Sequence, residues 1–218
     1  MPSFKVLVLC EYSGEVRRAF RAKGADAWSC DLLPSDDDSR YHLQMDAREL
    51  IHEYWDLIIA HPPCTYLTCS AEWAYGDGPY HQKVKPETLV GEARRKAREE
   101  AITFVLDLWQ ANTPRLAIEN PVGVLSKYMG KPQIVQPYYF GEDASKKTCF
   151  WTRGLPPIRI PDPSLWYPPR YVNGKPRWGN QTDTGQNKLS PSQDRAHERS
   201  RTYPGIARAL AESWYEHP

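Results

Sequence analysis

No apolar run in this chain of 218 residues approaches the length of a membrane span. No charged region followed by an apolar signal segment opens the chain, so the expected setting is cytoplasmic. Cysteine is sparse: the five residues Cys10, Cys30, Cys64, Cys69 and Cys149 are odd in number and scattered. That pattern argues against a disulfide framework and for reduced thiols. No Cys-x-x-Cys pair is present, which leaves zinc ligation by His61, Cys64, Cys69 and His81 without its usual nucleus, and no metal is expected. There is no internal repeat, which excludes a solenoid. Net charge is also nearly absent, at +1.

What is present is an ordinary globular composition with an uneven distribution of charge. Hydrophobic residues make up 40% and charged residues 25%. The length suits one sizeable α/β domain over residues 1–218, with 156–199 as an extended insertion or loop module. The small net charge is a near-cancellation: residues 1–144 carry −5 and residues 145–208 carry +8. The basic part also holds Trp151, Trp166, Tyr167, Tyr171, Trp178 and Tyr203. Cations interleaved with aromatic rings suit a polyanion with stackable bases. A solvated, proline-rich surface loop would have the same composition.

Apolar runs alternate with helical patterns. Residues 4–10, 27–30, 57–60, 116–118 and 147–151 read as strands, and 15–23, 47–54, 91–112 and 200–215 as helices. Ala101, Val105, Leu108 and Trp109 form the apolar face of the third helix, and Arg94, Arg95, Lys96 and Arg98 a solvated one. Residues 65–90 form a long loop beside a strand end, where functional lids are common. The alternation predicts a doubly wound, mostly parallel sheet.

Ligands of such sheets bind in the crevice beyond the carboxyl ends of the strands. Pro62-Pro63-Cys64 follows the 57–60 strand directly, and two prolines fix the direction of a thiol there, as a nucleophile requires. The same cysteine could simply fill space. Asp31 and Glu119 end two other strands and converge on the same crevice. Gly14 opens the first helix with room for a ligand at its backbone, and an acid at the second strand end fits a ribose diol. Taken singly, Asp31 is also a turn cap, Asp46 a helix N-cap and Glu119 a surface acid.

These turns carry a resemblance. Pro62-Pro63-Cys64 and Glu119-Asn120-Pro121, each after an apolar strand and in this order, resemble the DNA cytosine-C5 methyltransferases, in particular small phage-type members. The Gly14 turn and the segment Arg-Ser-Arg-Thr-Tyr-Pro-Gly-Ile-Ala over 199–207 support it. The resemblance implies a Rossmann-like class I fold and a single catalytic domain. It implies transfer of a methyl group from S-adenosylmethionine to C5 of a flipped cytosine in DNA, in a bacterial host's cytoplasm. Cys64 would be the nucleophile and Glu119 the acid that meets N3 and N4. Tyr12, Ser13, Gly14, Asp31, Asp46 and Pro62 would hold the cofactor. Pro63, Asn120, Lys146 and Thr148 would line the base, with Lys146 near O2, and Arg170, Lys175 and Arg177 would hold the polynucleotide.

The chain departs from that family in places. Cys10-Glu11-Tyr12-Ser13-Gly14 replaces an aromatic residue with paired glycines, Thr65-Tyr66 follows the cysteine in place of glutamine and proline, and the Gln-x-Arg-x-Arg strand has no copy beyond Gln136 and the Lys146/Thr148 pair. The large target-recognition domain is replaced at most by 156–199. Modification of free dCMP, and a non-catalytic DNA-binding protein on the same fold, are therefore alternatives. Amino methylation is disfavoured, because Cys64 stands where a stacking aromatic would follow the prolines.

Overall fold

Val6 and Val8 point to one side of a sheet and Leu7 and Leu9 to the other, and all four are fully buried. A strand apolar on both faces needs cover on both, which is the requirement for a doubly wound fold. A computed structural model describes residues 3–189, 198 and 200–215. Its main sheet contains β1 (Lys5–Leu9), β2 (Asp26–Asp31), β3 (His42–Gln44), β4 (Leu57–Ala60), β5 (Leu116–Pro121), β6 (Gln133–Val135) and β7 (Thr148–Arg153), in the order β3-β2-β1-β4-β5-β7-β6. β1 to β5 pair in parallel, and β7 runs antiparallel to both β5 and β6. This is the expected α/β architecture, a Rossmann-like, mostly parallel, doubly wound sheet.

Helices α1 (Glu15–Ala22) and α4 (Pro204–Trp214) cover one face, through Val16, Phe20, Ile206, Leu210 and Trp214 against Val6, Val8, Leu57 and Ile59. α2 (Gly91–Trp109) covers the other with Ile102, Val105 and Leu108 against Leu7, Leu9, Ile58 and Ile118. A single helical turn, α3 (Ser126–Met129), precedes β6. No helix among the described residues is long and apolar enough to cross a membrane.

Three expectations change. The helix expected over 47–54 is a single 3-10 turn, Ala47–Glu49, after which the Ile51 carbonyl accepts from the amide of Asn112 (2.8 Å). Arg94 and Arg98 do not belong to a solvated face, whereas Lys96 is exposed and Arg95 partly so. Arg94 is only 7% exposed; Arg94 and Arg98 lie over the Tyr75 ring at 4.7 and 3.4 Å, and Arg98 bonds the carbonyls of Tyr66 and Thr68 and the Glu72 carboxylate. Arg95 donates to the Tyr75 carbonyl and to Asp77. These arginines pin the loop after Cys64 to α2. Finally, the 156–199 segment contains a hairpin, β8 (Arg170–Val172) and β9 (Lys175–Arg177), joined at Asn173-Gly174 with both residues at positive φ. Asn-Gly favours that two-residue turn. Residues 190–197 and 199, and with them the start of the Arg-Ser-Arg segment, lie outside the described residues.

Candidate active site

The β4–β5 register runs Ile58↔Leu116 to Ala60↔Ile118. Continued one and two steps further, past the carboxyl end of β4, it sets His61 beside Glu119 and Pro62 beside Asn120. Both pairs bond. Asn120, 1% exposed, donates from Nδ2 to the Pro62 carbonyl at 2.9 Å, and His61 Nδ1 lies 3.2 Å from Glu119 Oε2. Past Cys64 the chain turns at once, with the amides of Leu67 and Thr68 donating to the Cys64 carbonyl. The Val124 amide then donates to Leu67 O at 2.9 Å. Gly123 permits this approach, since a Cβ there would fall 1.9 Å from the Leu67 carbonyl oxygen. The cysteine turn and the Glu-Asn turn are thus one fastened unit. Cys64 is exposed at its surface, and all five cysteines are thiols.

Glu119 retains 15% of its side-chain exposure. Burial pushes its carboxyl up, but the His61 bond and the charges of His61 and Lys146 outweigh this and hold it below its ordinary value. Its open side lines a narrow recess with Lys146, Thr148, Thr202, Tyr203 and Ile206. The recess adjoins a cleft of about 600 Å³ lined by Glu15, Ser145, Lys146, Asn180, Lys188 and Arg201 among others. Lys146 is half-buried and Lys147 exposed. Thr148 is buried and donates to the Lys146 carbonyl. Pro62 is buried and Pro63 exposed.

The first turn is built differently from expectation. The carboxylate of Glu11, fully enclosed, accepts from the amides of Val16 (2.6 Å) and Arg17 (3.2 Å) and so caps α1 from within. Burial pushes the Glu11 carboxyl up, against the opposing charge of His61 and those amides. Gly14 sits at φ 68, and a Cβ there would lie 2.3 Å from Arg17 Nη2. That guanidinium is buried between Ser29 and Asp37. Tyr12 and Ser13 are buried; the Tyr12 hydroxyl bonds Ser200, and its carbonyl accepts from the Asp36 amide. Asp31 is half-buried, which raises its carboxyl, and accepts from Leu33 N. Asp46 caps the 3-10 turn through Arg48 N, the structural role open to it in sequence. Both acids stand near Cys10, whose thiol burial pushes up, with their charges adding to the effect.

Arg170, Lys175 and Arg177 lie on the separate β8–β9 hairpin. Arg170 pairs with Asp183, and Arg177 donates to the Asp183 carbonyl. Trp178 is 9% exposed and stacks on Tyr138 at 4.1 Å; Trp166 tilts over Tyr139 at 4.3 Å. Those two rings dock the segment, while Tyr171, 71% exposed, presents its surface outward. Among the described residues no three His, Cys, Asp or Glu side chains gather as metal ligands.

Sequence reasoning missed Glu11, Gly123 and the pairing of His61 with Glu119. A histidine placed one register step past a strand was the available signal for the last. No protein-family profile and no curated protein matches the chain. Among solved structures it is similar to a prophage-encoded E. coli protein provisionally identified as a DNA modification methyltransferase. The two are 15% identical, with a TM-score of 0.41, over 79% of this chain and 54% of that one. The chain thus spans about half the length of that structure.

Proposed function

We propose that the protein methylates C5 of cytosine in DNA through a covalent Cys64 adduct. The observation that carries this reading is the bond from Asn120 to the Pro62 carbonyl, which ties the candidate nucleophile's turn to the candidate acid's strand. Pairing a thiol with a carboxyl is what this chemistry demands. Cytosine C5 is a weak nucleophile until a thiolate adds at C6. As the bond from Cys64 Sγ to C6 forms, electron density moves to N3, and a proton held there by Glu119 relieves it. Lys146, half-buried beside Glu119, supplies positive charge on the side where O2 would lie. Asn120, Pro63 and Thr148 shape the wall around the ring.

Bound S-adenosylmethionine would supply an electrophilic methyl group. Asp31 fits such a group, as a half-buried carboxylate suited to the two hydroxyls of a ribose, while the side-chain space at Gly14 is taken by the Arg17 guanidinium, so that turn would meet the group through its backbone. Tyr12, Ser13 and Pro62 complete that wall, and Asp46 has one oxygen engaged as a cap. DNA, with its target base turned out of the stack, would lie against Arg170, Lys175 and Arg177.

The test is trapping. DNA containing 5-fluorocytosine, incubated with S-adenosylmethionine, should yield a covalent complex, because fluorine blocks the final elimination. Cys64→Ser should lose both complex and turnover. A Cys64→Ser protein that methylates normally would sink the mechanism. Labelling of dCMP but not DNA would assign the nucleotide reaction, and labelling of neither would leave a binding protein.

A further inference from the structure

His61 is a buried titratable group that the proposed reaction does not use. Its side chain is 7% exposed, and Nδ1 lies 3.2 Å from Glu119 Oε2. A carboxylate only accepts, so Nδ1 carries the hydrogen. The other ring nitrogen, Nε2, is buried with no hydrogen-bond partner among the described residues. A second N–H there would be a buried donor without an acceptor. The neighbouring carboxyl from the β1 end, Glu11, has its two oxygens committed to the amides of Val16 and Arg17 and does not serve as that acceptor. On the far side of Glu119 stand Lys146 and, on β7, the thiol of Cys149. Nδ1 is therefore a donor aimed at one oxygen of Glu119, while the open side of that residue faces the recess with Lys146 and Thr148.

We propose that His61 is the positioning residue for Glu119: its Nδ1–H fixes one carboxyl oxygen and turns the other toward the recess, so that a proton on the acid sits on the oxygen that meets the base. The role rests on Glu119 acting as the acid in the reaction above. It implies a cost as well as a benefit. The same bond favours ionised Glu119, so His61 trades some of the protonated population for orientation.

Two variants separate these effects. His61→Leu removes the donor; His61→Asn keeps one, since an Asn Nδ2 can occupy the place of the imidazole Nδ1. Side-chain carboxyl 13C NMR, assigned with Glu119→Gln, reads the acid directly. In His61→Leu, Glu119 should titrate higher, because the bond that favours its ionised form is gone. Adduct formation on 5-fluorocytosine DNA should fall about 100-fold through misplacement, and the alkaline limb of its pH profile, where the acid loses its proton, should move up with Glu119. His61→Asn should stay within about tenfold of the parent. An unmoved Glu119 in His61→Leu overturns the proposal, as does a His61→Asn protein no better than His61→Leu. Should His61→Leu fail to fold, 15N spectra of the parent decide: a hydrogen on Nδ1 supports the assignment, and a ring that carries its only hydrogen on Nε2 overturns it. A shifted Glu119 with no adduct in any protein, parent included, would keep the positioning and discard the base chemistry. An adduct with an unmoved Glu119 would do the reverse.

Discussion

The region that would perform the chemistry and the region that would hold the polymer are secured by different kinds of contact. Between β4 and β5 the fastenings are short and directional: Asn120 to the Pro62 carbonyl, Val124 to Leu67, His61 to Glu119, and backbone laid on backbone at Gly123. Over 156–189 they are broad and flat, with Trp178 stacked on Tyr138, Trp166 leaning on Tyr139, and the cations carried outside on a small hairpin. A directional bond fixes an angle. A stacked face fixes a plane and tolerates sliding within it. Bond formation at C6 needs the first kind of constraint, and phosphate contact, which is long-range and weakly oriented, needs only the second.

The comparison can be broken from either side. The largest effect is expected at Gly123. Gly123→Ala drives a methyl group into the Leu67 carbonyl, a rigid neighbour, and should cost about 3 kcal/mol of stability, read by urea denaturation. Adduct formation should fall with it, while salt-sensitive DNA binding by the folded fraction persists. Next is Asn120→Ala, which leaves the Pro62 carbonyl buried without its donor. A loss of about 1–3 kcal/mol is expected, together with slower trapping at unchanged DNA affinity. If trapping kept its rate, the bond would be structural only.

The smallest effect on stability, and the converse pattern, belongs to Arg170, Lys175 and Arg177 neutralised together. Surface changes of this kind should alter stability by no more than about 0.5 kcal/mol each. The slope of log affinity against log salt should nevertheless flatten by roughly two to three, one counterion or slightly less per phosphate contact. An unchanged slope would move the DNA face elsewhere, with the 65–90 loop the next surface to test.

Residues buried on both faces of the sheet were the most legible. The 57–60 strand is found at its expected bounds because Leu57 to Ala60 is uniformly apolar and two prolines end it. β3 and β6 were not read: three residues such as His42, Leu43 and Gln44 carry too little period to register, and their pairing is set by neighbours far along the chain. The arginines of α2 misled for a related reason. A run of cations on a helix looks solvated until a distant loop brings Tyr75 and Glu72 beneath it. At the candidate site, Cys64 and Glu119 stood out because each closes an apolar run. His61 did not, since its meaning depends on register between strands separated by α2. The Asn173-Gly174 turn was legible in principle and was obscured by the surrounding prolines.

The clamp of Arg94 and Arg98 on Tyr75 has a consequence for traffic through the site. The chain leaving Cys64 is fastened to α2 at several points, so moving this wall aside would break the bonds of Arg95 and Arg98 together. On the reading proposed above, entry would come by the side where Lys146, Asn180 and Arg201 border the cleft. A long polymer would then run alongside the basic half of the chain, its approach set by a bank on which Glu15 faces those cations.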